Sequence, residues 1–239
     1  MQQYLIVVKF KEVIIFRRNN MEEEVQHYEK ESSIGVNEEN LLLRIWTQPV
    51  STFTYILNYC PDKHIHLLLV LGGIVRAIDR ASVTSMGDKS STVGVLFAAV
   101  IGGGLFGWMT YYFYAWIVSF TGRWINGKAD ARTIRVILAW SSIPAITSLI
   151  LLIPEILIYG NDLFRSDRSN ENLLQTICEP VFSVIQIMLS VWSLALSVIG
   201  VALVQKFSSG KAILNILLGA VILVLPFVVI GILMALFRG

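Results

Sequence analysis

Residues 93–120 read VGVLFAAVIGGGLFGWMTYYFYAWIVSF, a run without one charged side chain. As a helix it would rise about 40 Å, more than the roughly 30 Å hydrocarbon core of a bilayer. Its second half, from Trp108 through Tyr111, Tyr112, Phe113, Tyr114 and Trp116 to Phe120, has the aromatic content of a membrane interface. Such a run has no place on the surface of a water-soluble domain.

Three similar runs follow. The spacing predicts spans over about 134–159, 181–204 and 212–237. Pro144 and Pro154 predict two kinks in the first of these, with Ser141 and Ser142 placed to satisfy the carbonyl of Trp140; Pro226 predicts a kink in the last. Residues 160–179 are polar and predict a loop. Before residue 93 the signal is weaker. The stretch from His66 to Ile78 is short, and a crossing over about 62–83 must include Arg76, Asp79 and Arg80. Residues 43–57 predict a short interfacial helix ended by Pro61, with Phe53, Ile56 and Leu57 on one face.

The expected fold is therefore all-α: a transmembrane bundle of about five spans over 43–239, behind a disordered acidic tail over 1–42. The whole chain is 55% hydrophobic and only 15% charged, and Glu22, Glu23, Glu24, Glu29, Glu31, Glu38 and Glu39 crowd its N-terminal part. Residues 1–20 interrupt their apolar runs with Lys9, Lys11 and Glu12, so they form no signal-peptide core. They are read as a start assigned too early, with Met21 the first residue, in preference to a short interfacial anchor. With the N-terminus inside, the inner segments carry Arg44, Lys63, Arg123, Lys128, Arg132, Arg135, Lys206 and Lys211, against Arg80, Lys89, Arg165, Arg168 and Arg238 outside. The positive-inside rule then places the N-terminus in the cytoplasm and the C-terminus outside.

Little of this sequence points to catalysis. Gly122 to Lys128 has the glycine and lysine spacing of a phosphate-binding loop, but Ala129 stands where a magnesium-holding Ser or Thr is needed, and a membrane helix precedes it. Cys60, Asp62, His64 and His66 alternate in a stretch broken by Pro61, a poor frame for a metal. Cys60 and Cys178 imply no disulfide framework. No cofactor, metal, nucleic-acid partner or enzymatic activity is expected. The candidate polar cluster within the membrane is Arg76, Asp79, Glu155, Gln186 and Asn215, since ionisable groups at that depth gather around cavities or pair with one another. Gly103 and Gly107 form a G-x-x-x-G face for close helix packing, within the chain or between copies in a homo-oligomer. Arg123, Lys128, Arg132 and Arg135 form a candidate cytoplasmic contact loop.

Leu43-Arg44-Ile45-Trp46-Thr47-Gln48-Pro49 followed by Thr52-Phe53, the run from Thr121 to Lys128, and Arg132-Thr133-Ile134-Arg135 through Pro144 together resemble bacterial Ypt-interacting-protein (Yip) domain proteins. The resemblance covers about Leu43 to the C-terminus. It implies five spans, a cytosolic N-terminus and a bacterial plasma membrane. Eukaryotic relatives act in early secretory traffic and bind Rab-type GTPases, but the Asp-Leu-Tyr-Gly-Pro motif of those relatives is missing here. For the bacterial branch the resemblance implies a fold and no activity. Two expectations follow: a non-enzymatic scaffold or adaptor that organises membrane proteins or lipids, or a small transporter or channel with a polar path around Arg76, Asp79 and Glu155. The second lacks the mirrored proline pattern of an inverted repeat.

Overall fold

Every regular element is helical among the described residues of the computed structural model, which are 36–167 and 172–237. The expectations for residues 1–35, including the early start and most of the acidic tail, lie outside them. The chain divides into two compact units, Met1–Tyr59 and Cys60–Gly239.

In the first unit the expected single interfacial helix is two: α1 (Leu41–Thr47) and α2 (Pro49–Tyr59). The break falls at Gln48 because Pro49 cannot continue a helix but readily begins one. Leu41, Ile45, Phe53 and Ile56 are buried, and Leu57 is half-buried.

The second unit begins with α3 (Ile65–Val83) and continues through α4 (Thr92–Trp124), α5 (Ala131–Ser141), α6 (Ile143–Tyr159), α7 (Leu173–Gln205) and α8 (Ser209–Leu236). Among the described residues four stretches are long and apolar enough to cross a membrane: α4, the α5–α6 pair through Asp162, α7 and α8. Their burial pattern is that of a protein in lipid. Only 12% of the most apolar window of α8 is buried, and Val184, Met188, Val221 and Val224 are all exposed.

α3 runs beside the α5–α6 pair and is tied to it near both of its ends, although its charges leave it less apolar. At its start, Asp62 holds Arg132 of α5 through both carboxylate oxygens, at 2.9 and 2.7 Å. Just beyond its end, the Gly87 N–H donates to the carbonyl of Phe164, past the end of α6, at 2.8 Å. Ser166 donates to Asp88 from both its backbone N–H and its hydroxyl. Nineteen residues give α3 about 28 Å of length. A small core of Ala81, Val95, Tyr159, Leu163 and Phe164 closes this second end of the bundle.

The α3–α4 contact is the tightest in the bundle. A Cβ on Gly103 would lie 2.8 Å from the Cα of Ile74, and one on Gly73 would lie 2.7 Å from the Cα of Gly107. The backbones therefore touch, as small residues permit. α8 lies along α4, where the Tyr114 hydroxyl donates to the Ile216 carbonyl at 3.0 Å.

Two boundaries differ from expectation. Pro144 sits in the first turn of α6, and the helix is interrupted for one residue at Ser142, whose backbone stays in the right-handed region. The hydroxyls of Ser141 and Ser142 donate to the carbonyls of Ile137 and Ala139, while the Ser142 backbone N–H reaches those of Ala139 and Trp140. The loop expected over 160–179 becomes helical from Leu173, because Asn172 and Gln175 form a reciprocal capping box. Pro180 consequently lies inside α7. Residues 168–171 of that loop lie outside the described residues.

Candidate functional site

Along α7, Ser183, Gln186, Ser190, Ser193 and Ser197 recur at alternating steps of three and four, so they form one polar stripe on an otherwise apolar helix. Across from it α3 presents Arg76, Asp79 and Ser82, and between them lie two adjoining cavities that share Asp79 and Ser190. The inner cavity, about 240 Å³, is lined by Gly72, Arg76, Tyr111, Ser142, Ser193 and Ser197 among others. The outer one, about 470 Å³, adds Ser82, Glu155, Ser183 and Gln186, and reaches Leu163 and Phe164 at the second end of the bundle. Together they make a polar groove within the helical bundle. Arg76, Asp79, Ser183, Gln186 and Ser190 are exposed, so the groove is not sealed.

The groove is built by specific contacts. Gln186 donates to Glu155 Oε1 at 2.6 Å, joining α7 to α6. Pro154 lies one residue before Glu155 and leaves the Ile150 carbonyl without its usual helical donor. The Arg76 guanidinium stacks over the Tyr111 ring of α4, 4.5 Å from its centre. It forms no salt bridge with Asp79, three residues along the same helix. The Ser193 hydroxyl donates to the Ser141 carbonyl at 2.6 Å, bonding α7 to the break between α5 and α6. A guanidinium, two carboxylates and a row of hydroxyls can bind ions, water or a polar headgroup. Among the described residues no histidine joins the groove, since His64 and His66 flank the start of α3, at the opposite end of the bundle.

A second polar cluster stands at the end where α3 begins. Gln205 Oε1 accepts from the Ala129 N–H at 3.0 Å, and the Ser119 hydroxyl donates to the Ala129 carbonyl at 3.0 Å. Thr121 Oγ1 lies 2.8 Å from the side-chain oxygen of Asn215. The amide nitrogens of Gln205 and Asn215 both press against Gly122, and Gln205 also presses against Gly127. A Cβ at either glycine would collide with Gln205. Asn126 takes up the left-handed turn between them with φ of 68°. Asp130 then caps α5: the hydrogen bonds from Thr133 hold its carboxyl below the usual range, outweighing partial burial.

The Yip1 domain model matches residues 43–232, which include this loop and the groove. The chain belongs to the Yip1 domain family. No curated protein and no solved structure gives a significant match.

In this Yip1 domain Arg76, Asp79, Glu155 and Gln186 come together around the groove, whereas Asn215 is fully buried in the loop cluster at the other end. Its residue type suggested a shared site, but its position on α8 does not. Gly103 and Gly107 meet Gly73 of the same chain. Of the four loop cations, Arg123 and Lys128 are exposed, Arg132 is held by Asp62, and Arg135 stacks on Tyr112 at 4.0 Å. Sequence reading missed the serine stripe. The three-and-four spacing that reveals it was present, but single serines in apolar helices are individually unremarked.

Proposed function

We propose that this Yip1 domain protein is a non-enzymatic organiser of membrane lipids or membrane proteins, holding a polar group in the groove at bilayer depth. The observation that carries this reading is the convergence of Arg76, Asp79, Glu155, Gln186 and the serine stripe on one open groove. A scaffold that only packed against neighbours would have no use for charges there, each of which costs about 2.5–3.5 kcal/mol near the bilayer centre on insertion scales.

The reading includes five membrane spans, with α3 as the first, and a bacterial plasma membrane. Lys63, Arg123, Lys128, Arg132, Arg135, Lys206 and Lys211 gather at the end where α3 begins, against Arg80, Lys89 and Arg165 among the described residues of the other end. That asymmetry supports a cytoplasmic N-terminus and an external C-terminus. Arg123 and Lys128 are the cations most open to a cytoplasmic partner, and reversing both should weaken capture of that partner in a crosslinking pull-down.

The groove itself is tested by mass spectrometry of molecules that remain bound to the protein purified from native membranes in mild detergent. Wild type should retain a polar or headgroup-bearing ligand that Ser190→Leu loses. Equal adducts in the two proteins would sink the groove as a binding site.

A transporter reading is favoured by one observation, the break at Ser142 on the groove wall, bonded to α7 by Ser193. Broken helices do occur at transport sites. Asp79→Asn combined with Glu155→Gln should then abolish flux in reconstituted vesicles, and wild-type flux in that double variant would exclude this reading.

A further inference from the structure

The order of charges along the groove constrains what it can hold. Arg76 lines the inner cavity, Asp79 sits where the two cavities join, and Glu155 lines the outer one, toward the end closed by Phe164. Along the groove the cation therefore comes first and the two carboxylates follow, with Arg76 and Asp79 exposed and Glu155 buried. Arg76 and Asp79 are separated by three residues of α3, ~4.5 Å along its axis. The hydroxyls of Ser183, Ser190, Ser193 and Ser197 run beside them.

The surroundings of the groove are apolar. Ile78, Val83, Ile187 and Val191 wall the outer cavity, and the neighbouring face of α7 carries exposed Val184 and Met188. A ligand with a polar head and hydrocarbon tails would place the head between α3 and α7 while its tails stayed in the bilayer. The outer cavity is within the size range of small-ligand sites.

Taking the groove as a binding site, which rests on the function proposed above, we infer that its ligand is the headgroup of a phospholipid bearing a primary ammonium. The phosphate lies against Arg76 and accepts from the Ser190 hydroxyl; the ammonium lies against Asp79, with Glu155 beyond it. Guanidinium suits phosphate, and a carboxylate suits an ammonium that can donate hydrogen bonds. An anionic headgroup without an amine would satisfy Arg76 but would leave the neighbouring Asp79 carboxylate without a cationic partner.

The test uses the full chain reconstituted in vesicles of equal phosphatidylethanolamine and phosphatidylglycerol, re-extracted in mild detergent and read by native mass spectrometry. Wild type should retain phosphatidylethanolamine several-fold over phosphatidylglycerol. Asp79→Asn should keep bound phospholipid but lose that preference, and Arg76→Gln should lose most of the bound lipid. Ser190→Leu, which fills the junction without removing a charge, should also lose it and stands in if Arg76→Gln fails to fold. Arg76-dependent retention of both lipids without preference would overturn this inference and leave the groove as a phospholipid site. Retention unchanged by both Arg76→Gln and Ser190→Leu would overturn both readings.

Discussion

Three consecutive glycines in α4 allow a sharp test of how the bundle is held together. Gly102 has open space where a Cβ would stand, and Gly104 would make only ordinary contacts, the nearest at 3.8 Å to Val70. Gly103 differs. A Cβ there would meet three backbone atoms of α3: the oxygen and carbon of Gly73 at 2.6 and 2.9 Å, and the Cα of Ile74 at 2.8 Å. No side chain can rotate away, so α3 and α4 would have to separate along their closest stretch. Overpacking of this kind costs about 1–3 kcal/mol. For a chain of this size that corresponds to a fall of roughly 2–10 °C in melting temperature, by analogy with soluble domains. Gly102→Ala and Gly104→Ala should match wild type or gain slightly, because alanine is the better helix former by about 0.5–1 kcal/mol. The assay is thermal unfolding of the three variants in one detergent. Equal losses at 102 and 103, or none at 103, would refute the backbone-on-backbone packing of α3 and α4.

The other predictions concern the two ends. Gln205→Leu removes the acceptor of the buried Ala129 N–H, which should cost about 1–3 kcal/mol and speed tryptic cleavage at Arg123 and Lys128. Unchanged cleavage would remove Gln205 as the anchor of that loop. The Asp62–Arg132 pair is largely exposed, so a double-mutant cycle should give no more than about 1 kcal/mol of coupling. At the opposite end, the side-chain and backbone hydrogen bonds from Ser166 hold the Asp88 carboxyl below the usual carboxylate range. Because the pKa is lowered in the folded state, the stabilisation is present above about pH 4 and is lost as pH falls through the folded value. Exchange of the Ser166 amide, corrected for its intrinsic rate, should therefore accelerate on acidification. In Asp88→Asn it should be fast at both pH values.

The membrane character of the chain was legible from charge-free runs such as 93–120, because no soluble fold can cover them. Boundaries were less so. Asn172 and Gln175 start α7 two turns before its apolar run, and composition alone places the border at Pro180. Pro144 signalled the disturbance that the structure shows as a one-residue interruption at Ser142. Arg76, Asp79, Glu155 and Gln186 were identifiable as a group from the cost of charge in lipid. Asn215 was not separable from them by that argument, since sequence gives its depth only through the direction in which α8 runs. The glycines at 122 and 127 looked like a phosphate-binding pattern. They are required by the Gln205 side chain, which lies far along the sequence.

The central claim is that a polar groove runs along one face of α7 at bilayer depth. It is tested most directly by labelling single cysteines on that helix with a membrane-impermeant, charged thiol reagent, in a background where Cys60 and Cys178 are replaced by serine. Ser183→Cys, Ser190→Cys and Ser193→Cys should react in intact proteoliposomes, whereas Val184→Cys and Met188→Cys, on the lipid-facing side, should not. Equal protection of all five positions, or reaction that ignores the three-and-four spacing, would contradict the groove.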